Sequence, residues 1–204
     1  MLRLWQNGPI IAIMSTMRRT LPLVTLALAA SFSAAQDTVR NQVEVARADT
    51  YLGATIGTYF LTDGNTRDAF GSSPVTYGFG LAQPYRTAKR GLRFDVTSLS
   101  LSSSGNNFFL LGGTVGYEVQ ALNNNGRPSA FARVGVGPAY YHYDVNRAGN
   151  DVNGNRVSFL GTAEVGYTFA ERFIVSARYL ATPELSGYNF SGLQLSLTFA
   201  AFKL

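Results

Sequence analysis

Arg93, Asp95, Glu118, Arg133, Glu164 and Arg178 each stand in an alternating stretch whose same-parity neighbours are mostly Gly, Thr, Ser or Ala. Three are basic and three acidic. Such groups could line a solute path or pair with one another as a structural plug. Isolated charges in a low-dielectric interior are costly, so a paired network is the expectation. His142 is the one histidine, which leaves no multi-histidine metal cage. Asp151-Val152-Asn153-Gly154-Asn155 resembles the start of a calcium loop, but no glutamate closes it at the required distance. Gly135-x-Gly137 lacks the third glycine and following helix of a dinucleotide turn. Thr66-Arg67-Asp68-Ala69-Phe70-Gly71 is either a recognition element or, the reading preferred, a loop packed by its own phenylalanine. There is no cysteine, hence no disulfide, thiolate ligand or cysteine nucleophile. No catalytic residue, cofactor or metal is expected.

The elements that must position the six charges have period two, the strand period. Eight stretches alternate apolar with small or polar residues: 51–61, 75–82, one from Leu92, then 109–120, 130–143, 158–169, 173–180 and 192–199. In the third, Leu92, Phe94 and Val96 share one parity while Leu99 and Leu101 take the other, so a bulge is expected near Ser98. Connections are rich in Gly, Asn, Asp and Ser. The longest are expected at 62–74 and 144–156, the tightest at Ala170-Glu171-Arg172. Several stretches reach the 9–11 residues or so of a tilted transmembrane strand.

Alternation alone leaves open whether the apolar set faces a core or a lipid. Charged residues make up 14% of the chain, against about 25% in soluble domains. The polar parity is Gly, Thr, Ser and Ala, where a solvent-facing wall would be crowded with charge. Tyr77, Tyr117, Tyr140, Tyr167, Phe169, Phe173 and Tyr179 gather near strand ends on the apolar parity, like interfacial girdles. In lipid such strands must close, because every backbone amide needs a partner. The expected fold is all-β, an eight-stranded antiparallel up-and-down transmembrane β-barrel.

The Gly-x-Gly strands (Gly78-Phe79-Gly80, Gly135-Val136-Gly137) and the final Ser191-Gly192-Leu193-Gln194-Leu195-Ser196-Leu197-Thr198-Phe199 resemble the small bacterial outer-membrane β-barrel proteins, the group of the OmpA transmembrane domain, OmpX and OmpW. Members usually end on an aromatic residue; this chain continues Ala200-Ala201-Phe202-Lys203-Leu204. The resemblance implies outer-membrane lipids and the barrel assembly machinery as partners. It also makes a lipid-modifying barrel enzyme conceivable, but no serine follows His142 at that family's spacing.

Residues 1–35 read as a signal peptide: Met17-Arg18-Arg19-Thr20 is basic, an apolar run follows, and Ser33-Ala34-Ala35 suits signal peptidase. Translation starting at Met17 would fit. Residues 36–49 form a short periplasmic segment and 50–204 the barrel. Of the 17 basic residues, Arg3, Arg18 and Arg19 lie in the signal, leaving 14 against 12 acidic ones, too balanced for a nucleic-acid surface. A monomer is expected. With a periplasmic N-terminus the six charges fall in the periplasmic half and close the lumen there. The leading function is structural or surface interaction, followed by transport of small or apolar solutes.

Overall fold

The computed structural model describes residues 49–84, 90–122, 128–147, 150–169 and 172–204. In chain order its elements are β1 (Tyr51–Leu61), α1 (Gly64–Phe70), β2 (Val75–Ala82), β3 (Arg90–Ser103), β4 (Asn106–Leu122), β5 (Pro128–Arg147), β6 (Asn150–Phe169), β7 (Phe173–Ala181), β8 (Glu184–Leu185), β9 (Tyr188–Asn189) and β10 (Gly192–Lys203). β1 to β7 and β10 form a closed antiparallel barrel, each strand beside its sequence neighbour and β10 sealed onto β1. β8 and β9 are a separate hairpin. One end of the barrel carries the start of β1 and the finish of β10; α1 and the β8–β9 hairpin belong to the other, the loop end. The expected signal peptide and nearly all of the expected periplasmic segment lie outside the described residues.

Two connections are tight for a clear reason. Ser104-Gly105 joins β3 to β4 and Ser186-Gly187 joins β8 to β9, and all four have positive φ (52°, 84°, 51° and 88°). That is the twist-matched geometry of a two-residue hairpin, which glycine adopts without steric cost. Inside the barrel glycine has a second use. A Cβ at Gly116 or Gly137 would collide with the carbonyl oxygen of Val134 or Gly113 on the next strand.

Four expectations need correction. β3 has no bulge at Ser98: its register with β4 runs unbroken from Arg90↔Val119 to Ser103↔Asn106. Leu99 and Leu101 share the inward parity of Arg93, Asp95 and Thr97, and both are buried. The irregularity at Ser98 is a side chain entering the β2–β3 seam, where Phe79 N–H donates to Ser98 Oγ at 2.8 Å. Residues 144–156 are largely strand, since β5 and β6 stay paired up to Arg147↔Asn150. On the β7 side β6 is paired only from Gly161. Residues 62–74 contain α1, capped by Asp63, whose carboxylate accepts from Thr66 N–H at 2.8 Å. Finally, β10 runs on past Phe199. A register shift opposite Leu52/Gly53 lets Phe202 pair with Leu52 and point outward.

Candidate functional site

The lumen is the site to examine, because the six charged residues meet there. Register does the positioning. Arg178 lies directly across from Glu164, Glu164 across from Arg133, and Arg133 across from Glu118. Four side chains of alternating sign therefore stand in one row over β7, β6, β5 and β4, and β3 adds Arg93 and Asp95 beside it. Glu164 Oε2 accepts from Arg178 Nε (2.8 Å) and from Arg133 Nε and Nη2 (2.8 and 2.6 Å). Arg93 Nη1 meets Glu118 Oε2 at 2.6 Å, and Arg133 reaches Asp95 at 3.3 Å and Glu118 at 3.9 Å. Ion pairs thus join all six. Arg178 Nη1 also donates to Thr97 Oγ1 at 2.6 Å, and Gln120 Nε2 donates to Glu118 Oε1. Glu118 and Glu164 are only 1% and 4% exposed, so the pairing is what makes their ionised burial tolerable.

Toward the terminal end Ala82, Ile174 and Ala200 form a small apolar cluster with Tyr51 and Phe131, and the Arg133 guanidinium lies 5.3 Å from the Phe131 ring centre. The charges are therefore a middle layer rather than the last barrier on that side. Toward the loop end the polar lining stops. Leu99, Leu101, Phe108, Leu110, Tyr141, Tyr143, Val145 and Leu160 face inward and are buried with Tyr59, Phe70, Leu185 and Phe190. Phe190 stacks on Phe108 at 3.9 Å and meets Phe70 edge-on at 5.6 Å. Polar ties fix this roof. Asn106 Nδ2 donates to Ala69 O (2.7 Å) while its Oδ1 accepts from Asn146 N–H (2.7 Å). Tyr59 O–H donates to Phe190 O at 2.7 Å, Thr66 O–H to Asn189 O at 3.0 Å, and Tyr143 Oη is 2.8 Å from Ser186 Oγ. The sequence reading missed the roof. Its local signals were the phenylalanine expected to pack the 66–71 loop, Phe70, and the inward parity of Leu99, Leu101, Tyr141 and Tyr143.

The outer wall has the opposite polarity. Ile56, Phe94, Val115, Val136, Val165 and Leu195 are exposed, in the extreme case of Phe159 to 75%. Near the terminal end a row of direct cross-strand partners runs Phe169, Phe173, Phe199, Ala54, Phe79. Toward the loop end Tyr179, Leu193 and Phe60 form another. A wall this apolar is stable in hydrocarbon and would aggregate in water.

The other singled-out residues lie at the loop end. His142 Nδ1 is 2.8 Å from Asn155 Oδ1, which also accepts from Tyr140 O–H at 2.6 Å. Among the described residues no serine or acid hydrogen-bonds to the His142 side chain. Asp151 and Asn153 face outward on the β6 end of the β5–β6 hairpin. The 66–71 segment is mostly α1, with Phe70 buried against Phe190. Among the described residues no cluster of His, Asp and Glu is arranged to hold a metal ion.

No protein-family profile and no curated protein matches the sequence. Solved structures are similar at low identity. Ail, the attachment invasion locus protein of Yersinia pestis, is 10% identical with a TM-score of 0.48, over 75% of this chain and 98% of that one. Neisserial surface protein A is 12% identical with a TM-score of 0.45, over 78% and 100%. The N-terminal β-barrel domain of Pseudomonas aeruginosa OprF is 13% identical with a TM-score of 0.43, over 74% and 97%. This chain's own geometry, a closed antiparallel barrel with an apolar outer wall and charges held inside, is that of an eight-stranded transmembrane β-barrel.

Proposed function

We propose that this chain is a non-conducting, non-enzymatic barrel of the bacterial outer membrane that works through its surface, as a stable envelope component displaying its loop end. The carrying observation is the six-residue charge layer with an aromatic roof beyond it toward the loop end, which supports a filled lumen. An eight-stranded barrel is just wide enough for side chains to fill it, and buried inward side chains at successive levels support that reading. What remains for partners is the outer wall, which suits lipid, and the polar face of the β5–β6 hairpin, where His142, Asp144, Asn146, Asp151, Asn153 and Asn155 are exposed. The signal peptide expected at 1–35 supports export, and the closed ladder fits delivery by barrel assembly machinery. Planar-bilayer recording of purified protein tests the reading. Baseline current is expected; steady ohmic conductance would replace this reading with solute transport. Release of fatty acid from lipid A, lost in His142→Ala, would replace it with enzymatic action.

A further inference from the structure

Glu118 takes two donors, Arg93 Nη1 on one oxygen and Gln120 Nε2 on the other. Two buried atoms of the same pair take no part in these bonds, the Nε–H of Arg93, a donor, and Oε1 of Gln120, an acceptor. Neither has a partner among the described residues. Both side chains belong to residues only 8% exposed. They line the same cavity of about 10 Å³, together with Gln83, Phe131 and Thr168, which is roughly the room one water molecule needs.

The chemistry of the two atoms selects the occupant. A cation would face the Arg93 guanidinium, and an anion would face the amide oxygen of Gln120 beside the Glu118 carboxylate. The layer already balances three positive against three negative side chains and calls for no counter-ion. Water both accepts from N–H and donates to C=O and is small enough for a cavity of about 10 Å³, whose wall also includes Thr168. We propose that one resident water molecule accepts from Arg93 Nε–H and donates to Gln120 Oε1, as a structural member of the charge layer. The charge layer then holds a resident water within the lumen.

Nuclear magnetic resonance of nitrogen-15-labelled protein in micelles tests this, with the Arg93 Hε signal assigned by its loss in Arg93→Lys. A cross-peak from long-lived water to Hε is expected in the parent, together with its loss and a shift of Hε in Gln120→Met. Contacts from Hε to protein acceptors only, including any in 85–89 or 123–127, would overturn the proposal. So would an Hε shift that titrates with added chloride, or a water cross-peak indifferent to Gln120→Met. Should Gln120→Met fail to fold, a high-resolution crystal structure of the parent decides. Density for water within about 3.2 Å of both atoms supports the site; a void, an ion or a protein atom there ends it.

Discussion

Arg133 and Tyr141 point inward from the same strand, β5, and what they meet could hardly differ more. Arg133 finds three carboxylates, Glu164 on β6, Asp95 on β3 and Glu118 on β4, at 2.6, 3.3 and 3.9 Å. Tyr141 is fully buried in the apolar roof, 6.3 Å from Phe108 between ring centres, and sends its hydroxyl to Phe159 O at 2.6 Å. The charge layer is assembled by barrel strands alone, so register fixes it. The roof needs α1 and the β7–β10 connection to fold back over the barrel mouth. The energetics differ as well. Charges in the layer depend on their partners, and losing one leaves another buried and unpaired. Contacts in the roof are mostly dispersion and burial of apolar surface, which fail more locally.

The sharpest break should come in the charge layer. Glu164→Gln removes the carboxylate shared by Arg133 and Arg178 and should cost about 4 kcal/mol, read as loss of the folded gel species at lower urea. Adding Arg178→Met should recover part of that loss, because one stranded cation goes with it. Single variants as stable as the parent would show that the layer is not held by these pairs. In the roof, Phe190→Ala should cost about 3 kcal/mol and act locally. Amide exchange in α1 and β8–β9 should quicken while β4 to β7 keep their protection; uniform loss would mean that the two regions unfold as one.

The smallest effect separates α1 from both. The Asp63 carboxyl is held below its ordinary range, chiefly by the Thr66 backbone N–H. A folded value below the unfolded one gives stability that is complete above the ordinary carboxylate range and is lost as pH falls through the folded value. Acidification should therefore speed exchange in α1 of the parent. Asp63→Ala should already be weaker by about 0.5–1 kcal/mol, at the low end because solvent screens the cap, and its α1 exchange should lack the parent's added response to acid.

Strand identity was legible because period two is a local property: β1 and β2 have the bounds read from alternation, and the eight stretches are the eight barrel strands. The inward direction of Arg93, Asp95, Glu118, Arg133, Glu164 and Arg178 followed from the same parity. Which of them touch did not, since Glu164↔Arg178 and Arg133↔Glu118 depend on cross-strand register, set by turn lengths and closure. Leu99 and Leu101 misled for a related reason. An apolar residue on the polar parity signals a bulge only if the lumen is polar throughout, and Phe190, more than eighty residues away in the chain, makes it apolar at that level. Alternation and composition determined a barrel with its apolar side outward. Tertiary structure alone decided how its inside is filled, because that depends on which distant side chains converge at each height.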